Sequence, residues 1–445
     1  MLLAVLALAL AAASCGKYSE ADPLEAIPAS TRGVAAVNLY TAGANAGIAD
    51  TDGKGGFAAP AGSPRWVQMT ASLLATLGKG IDLNRVYVAA DRRNEYYATA
   101  AITNGEALRK GLAELGATER DKTDGFGHWN LHGCRVLFSD RQVWFTLQPG
   151  FSPAGEIDAA TDGSILTDAP GVADFLKANE FVSVAANTGA FPLPGSDSWS
   201  CVKADPAGNA LKAVSRQMTS SGEIIQMKNL RTLDRSTLDN APADWAFITA
   251  VGLDNNIDWS VLPTLGGMIG GFNTMGVLER LVDYLKEIDG TVLVAANPKG
   301  QLDISDVSLT DFDIMFAAQM PDDAARKAVA TLAGYLRDKM FTVTSTDNSM
   351  TVNQAGFKIE AMADDGRLTI SFGNPAGGGA PAGFYGNCLG VKLNIPRGLL
   401  LHHSSITVDA VATDTESTVT ISLPGYNMPF VQSVISAYLM SDLAI

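Results

Sequence analysis

The chain has 445 residues, of which 47% are apolar and 18% charged, and its formal net charge is −15. That length and apolar share are enough for two cored domains of ordinary size and exclude a disordered or fibrous chain. The acidic balance argues against nucleic acid, and against an anionic membrane surface, as a docking partner.

Met1 to Ala13 is almost wholly Leu, Ala and Val, the composition of a secretory h-region and too short a run to span a bilayer. Ala12, Ala13 and Ser14 put small residues directly before Cys15, the arrangement that a lipoprotein signal peptidase cuts to leave an acylated cysteine. Residues 1–15 therefore read as a lipoprotein signal peptide ending at the lipidated Cys15, and residues 16–26 as a tether. A diacylglycerol plus an amide-linked chain buries enough methylenes for stable anchoring, so the membrane is a partner through this lipid. Beyond Cys15 the cysteines are Cys134, Cys201 and Cys388, an odd set without a CxxC. One disulfide among them is compatible with export, and the pairing is left open.

The rest of the chain reads as one unit written twice. Ile27-Pro28-Ala29 leads into the strand-like Val34 to Leu39, and Ala241-Pro242-Ala243 leads into Trp245 to Ile248. A helix follows in each half, with a stripe of Met69, Leu73, Leu74 and Leu77, or of Val277, Leu278, Leu281, Val282 and Leu285. Both helices stop at Ile-Asp (Ile81-Asp82 and Ile288-Asp289), and the strands Val86 to Ala90 and Val292 to Ala296 come next. The second helices align without gaps, Ala107 to Leu115 against Ala324 to Leu332, with five of nine positions identical. Hairpins then pair Cys134–Phe138 with Val143–Leu147, and Phe357–Ala361 with Leu368–Phe372. One more strand in each half (Phe181 to Ala186, Leu389 to Asn394) precedes an alternating hairpin at Leu211–Met227 or Ile406–Leu423. Val431 to Ile445 closes the chain as a helix with Val431, Val434, Ile435, Tyr438 and Leu439 on one face.

These elements predict an α+β fold of two tandem related halves, 27–236 and 241–445, joined near Leu233 to Pro242. Each half is expected to be a mainly antiparallel sheet with helices packed on one face. Loop composition is concentrated at Ala42 to Pro64, Gly150 to Pro170 and Gly373 to Gly386, where local function is most expected.

A lipobox cysteine, a short acidic tether, an Ile-Pro-Ala turn before an apolar strand and a duplicated β/α unit together resemble the uncharacterised lipoproteins of gut Bacteroidota, a domain-of-unknown-function family. The resemblance implies an outer-membrane lipoprotein, on the cell surface or the periplasmic face. Lys17, Ser19, Glu20 and Asp22 match in part the acidic signal for surface display in such bacteria. It carries over no catalytic residue.

The chemistry-bearing motifs are sparse. His128, His132 and Cys134 are residue types that zinc accepts, but one strand would spread them over about 20 Å. Adjacent His402 and His403 would face opposite sides of a strand. Asp50-Thr51-Asp52-Gly53 starts like a calcium loop but has Ala61 where the bidentate Glu belongs. Arg109-Lys110 and Arg326-Lys327 recur in both halves, as a shared anion site or as solvated helix faces. No motif calls for a cofactor or a metal.

Two functions from different classes follow. The first is a non-catalytic binding or scaffolding protein of the envelope, whose partner is a glycan or an envelope protein. For it, Tyr385 and the indoles of Trp129, Trp144, Trp199, Trp245 and Trp259 are candidate stacking groups. The second is a glycoside-type hydrolase using paired carboxylates of the second half, from the Asp-rich hairpin holding Asp303, Asp306, Asp311 and Asp313 or from the Gly373 to Gly386 loop. It requires Asp306 or Asp311 to face a second acid across a cleft.

Overall fold

The computed structural model describes residues 22–29, 31–49, 56–90, 96–123, 126–148, 150–151, 165–178, 181–187, 197–242, 244–254, 284, 286–300, 311–354, 357–375, 378–397 and 404–442. Cys15, Asp306, Trp259, the Asp50 turn, His402, His403 and the helix expected over Val277–Leu285 lie outside them. The chain divides into two compact units, one formed by residues up to Ile225 with Tyr426 onward, the other by Gln226–Gly425.

In the first unit the strands are β1 (Gly33–Val37), β2 (Val86–Ala90), β3 (Tyr96–Ala101), β4 (Thr118–Thr123), β5 (Phe126–Leu131), β6 (Cys134–Phe138), β7 (Gln142–Thr146), β8 (Val182–Asn187), β9 (Trp199–Ala207) and β10 (Ala210–Met218). They pair antiparallel throughout in the order 4-5-6-7-3-2-1-8-9-10. In the second unit they are β11 (Phe247–Leu253), β12 (Gly290–Pro298), β13 (Phe312–Gln319), β14 (Val343–Ser345), β15 (Ser349–Gln354), β16 (Phe357–Asp364), β17 (Arg367–Phe372), β18 (Leu389–Ile395), β19 (Ile406–Ala412) and β20 (Glu416–Ser422). Their order is 14-15-16-17-13-12-11-18-19-20, again antiparallel, which repeats the first unit strand for strand. The correspondence reaches single hydrogen bonds: Asn38 N–H donates to the Phe181 carbonyl at 2.9 Å, and in the same place Gly252 N–H donates to the Cys388 carbonyl at 2.8 Å. Tight turns close hairpins at His132-Gly133 (φ 50° and 92°) and Asp365-Gly366 (φ 51° and 69°), where two successive positive φ values suit a two-residue turn.

Covering elements lie on both faces of each sheet, completely in the first unit and in part in the second, where Met362 of β16 is 44% exposed. In the first unit, helices α1 (Leu39–Asn45), α2 (Arg65–Leu77) and α3 (Gly105–Glu114) share one core with Val88, Ala98, Val136 and Phe145. Over the other face, a 3-10 turn at Pro23–Ala26 and helix α4 (Pro170–Lys177) pack with Tyr87, Tyr97, Leu137 and Trp144. In the second unit, helix α5 (Arg235–Asp239) lies over β12 and β13, and helix α6 (Asp322–Asp338) packs under β15, β16 and β17. Each fully buried Leu on these helices, such as Leu74, Leu108 or Leu238, contributes about 1.5–3 kcal/mol of transfer free energy. A last helix, α7 (Phe430–Asp442), belongs to the first unit, where Val431 N–H donates to Asn45 Oδ1 at 2.8 Å.

Several expectations are corrected. The chain is not an α+β fold with helices on one face of each sheet. It is predominantly antiparallel sheet, with twenty strands against seven α-helices among the described residues, and its covering elements lie on both faces. One missed strand is wholly polar: Thr118-Glu119-Arg120-Asp121-Lys122-Thr123 has no apolar alternation, and β4 is ordered by pairing with β5. Part of the stretch read as tether is folded, since Asp22 caps the 3-10 turn and Leu24 is fully buried. The closing hairpin of the first unit runs Trp199–Met218, upstream of Leu211–Met227. The expected join near Leu233 is helix α5, inside the second unit, and the helix read as closing the second half packs in the first. On α2 the buried positions are Val67, Ala71, Leu74 and Leu77, while Met69 is 61% exposed. On α7, Ser433 is buried and Val434 is 45% exposed, the reverse of the expected pattern at those two positions.

Candidate functional site

The loop before β18 carries Tyr385, a described ligand candidate, and sets it among polar partners. Ala382–Phe384 is a 3-10 turn whose Phe384 plunges into the core, and a Cβ on Gly390 would fall 2.4 Å from that ring, so strand β18 needs glycine there. Two backbone bonds fasten the loop to α5 and the residues after it: Ala380 N–H donates to the Leu238 carbonyl at 2.8 Å and Gly378 N–H to the Ala241 carbonyl at 3.0 Å. Tyr385 is thereby set beside α5. Asp234 caps that helix by accepting from Thr237 N–H at 3.0 Å, and Arg235 and Asp239 then stand four apart on one side.

The geometry at Tyr385 is that of a framed aromatic platform. Its hydroxyl donates to Asp239 Oδ1 at 2.8 Å, the Arg235 guanidinium lies 6.0 Å from the ring centroid, and Arg235 Nε is 3.6 Å from Asp239. The Arg235 side chain is 84% exposed. Partial burial, then the hydrogen bond to Asp239 and its charge, hold the Tyr385 hydroxyl above the ordinary tyrosine range, so it is a neutral donor at physiological pH. A half-buried ring whose hydroxyl is held by Asp239, with the exposed Arg235 guanidinium over it, offers a planar group and charged hydrogen-bonding groups to the hydroxyls of a sugar.

The remaining candidates are not gathered into a site. The Asp311 carbonyl accepts from Lys299 N–H at 2.8 Å and so helps close the β12–β13 hairpin, while Asp313 lies 3.6 Å from Lys299 Nζ and accepts from Asn374 N–H at 3.3 Å. His128 and Cys134 lie on paired strands rather than along one, because His132 sits in the turn between them. Burial and the neighbouring Arg135 lower the His128 pKa, and burial raises that of Cys134. Among the described residues no group of three His, Cys, Asp or Glu side chains is placed to hold a metal. Cys134, Cys201 and Cys388 are free thiols. The matched Arg-Lys pairs do different work: Arg109 lies 5.2 Å over the Phe138 ring, and Lys327 pairs with Asp323 at 3.1 Å.

Trp129, Trp144, Trp199 and Trp245 are buried core residues rather than exposed stacking groups. The sequence reading passed over Trp66, which is 42% exposed beside Met69 on α2. Its signal was present: Trp66, Met69 and Leu73 form a second apolar stripe next to the buried one. Close by, Phe57 to Ala61 and the α2 residues Gln68, Ala71 and Ser72 line an open groove of about 430 Å³. No known family model matches this chain, and no match was found among curated proteins or solved structures.

Proposed function

We propose that the chain is a lipid-anchored protein of the bacterial outer membrane, on the cell surface or the periplasmic face, that binds a glycan without catalysis. The observation that carries this reading is the Tyr385 ring framed by Asp239 and Arg235. The lipobox ending at Cys15 and the resemblance to Bacteroidota lipoproteins support the anchor. The stretch from Cys15 to Asp22 reaches at most about 25 Å when fully extended, which would hold the first unit close to the bilayer.

Two measurements test it. Lipid labelling of the expressed chain should be lost in Cys15→Ala, and label retained in that variant removes the anchor. A glycan array probed with the purified chain should give hits that raise its melting temperature by mass action and that vanish in Tyr385→Ala. A folded chain that binds no neutral or acidic glycan refutes the binding function.

A further inference from the structure

The duplication supplies an internal comparison for the sheet surface next to Tyr385. Along β15, β16 and β17, alternate side chains point to opposite faces. Ile359, Ala361, Ala363, Leu368 and Ile370 are buried with α6, which leaves Ser349, Glu360, Met362 and Thr369 on the other face. Ser349, Met362 and Thr369 stand in one row across the three strands, and Met362 in the middle is 44% exposed. In the first unit the same row on β6 and β7 is Leu137 opposite Trp144, which are 0% and 4% exposed. The correspondence is fixed by register, since Trp144 pairs with Thr99 of β3 and Thr369 with Ala317 of β13. There the row is sealed by aromatics, with Phe126 edge-on to Trp144 at 5.3 Å and Phe151 on Tyr97 at 4.8 Å. Among the described residues the second unit thus carries hydroxyls and an exposed Met362 where the first unit is sealed.

That open face continues to the Tyr385 platform. Arg367, two residues from Thr369 on the same side of β17, donates to the Ser236 carbonyl at 3.1 Å, and Ser236 is the neighbour of Arg235 in α5. From Thr369 across two strand spacings to Ser349 is about 10 Å, room for further residues of a chain bound at Tyr385. Charges along this surface balance, Lys358 with Glu360 at 3.1 Å, Arg235 with Asp239 at 3.6 Å, and Arg367 opposite Asp364 in the register of β16 and β17. A surface without excess positive charge, on a chain of net charge −15, disfavours an anionic ligand.

Building on the glycan-binding reading, we propose that the ligand at Tyr385 is an extended, uncharged polysaccharide whose further residues lie over Thr369, Met362 and Ser349. The test uses the full chain, purified in detergent, in affinity gels containing laminarin, xylan or dextran as neutral probes and polygalacturonate or hyaluronan as acidic ones. The oligosaccharide series of whichever neutral polymer retards the chain is then titrated. Affinity is expected to rise at least tenfold from disaccharide to hexasaccharide. Thr369→Arg, or Ser349→Arg as an independent placement of the same bulk, should abolish that rise while leaving disaccharide affinity within twofold. Tyr385→Ala should remove binding of every length. Length-independent affinity, polymer binding untouched by both arginines, or retardation by acidic polymers alone overturns the extended neutral site while leaving glycan binding itself intact. Retardation by no polymer removes the glycan-binding reading, and this inference with it.

Discussion

Gln142 donates its side-chain amide to the carbonyl oxygen of Pro23 at 3.1 Å, across 119 positions of sequence, and so ties the first described turn of the chain to β7. Arg367, which occupies the same place on β17, donates to the Ser236 carbonyl at 3.1 Å in helix α5, which precedes the second sheet. Gln142 is buried and also donates to Thr99 Oγ1 at 2.7 Å, so its removal strands two acceptors. Gln142→Ala is expected to destabilise the first unit by about 2 kcal/mol, and Arg367→Ala, at a more exposed contact, the second by less than about 1 kcal/mol. Urea unfolding of each variant checks this, and equal losses would contradict the difference in burial.

The Tyr87 hydroxyl is fully buried and has no hydrogen-bond partner among the described residues, and burial, followed by the charge of Asp22, pushes its pKa far above the ordinary tyrosine range. Removing an unsatisfied buried hydroxyl returns its desolvation cost. Tyr87→Phe should raise stability by about 1 kcal/mol, seen as a higher melting temperature; a fall of that size would mean the hydroxyl is satisfied.

Met340 ends α6 with φ 68° and 87% exposure, while Phe341 N–H bonds the Leu336 carbonyl at 3.0 Å to close the helix. An L side chain in this left-handed position costs free energy that glycine does not. Met340→Gly is expected to stabilise the second unit by about 0.5–1 kcal/mol in chemical denaturation, and a loss would show that the methionine makes compensating contacts.

At Tyr385 the folded-state pKa is raised by partial burial and by Asp239, so this group's contribution to stability is present below about pH 10 and is lost as pH rises through the folded value. In the difference between wild-type and Tyr385→Phe ultraviolet titrations, the missing tyrosine should ionise above pH 10, and Asp239→Asn should bring the midpoint down. An unmoved midpoint in Asp239→Asn means the carboxylate does not set it.

Because α7 lies in the first unit, ending the chain at Gly425 should lower the first unfolding transition and spare the second. A loss confined to the second transition would place the helix wrongly.

The sequence by itself determined the local, periodic part of this protein. Val86–Ala90 and Val292–Ala296 are strands because short apolar runs between turn residues can only be buried in a sheet, and Leu108 and Leu112 match Ala325 and Val329 as buried helix positions because a 3.6-residue period encodes a face. The tertiary structure alone decided what depends on partners distant in sequence. The polar strand β4 exists because β5 supplies its hydrogen bonds, and α7 is claimed by the first unit through Asn45 rather than by the half it follows. Tyr385 meets Asp239 across 146 positions, and whether the outer face beside it is sealed or open turns on Trp144 in one unit and Thr369 in the other. Periodicity reports which side of an element is apolar, but what covers that side is settled only when the rest of the chain folds against it.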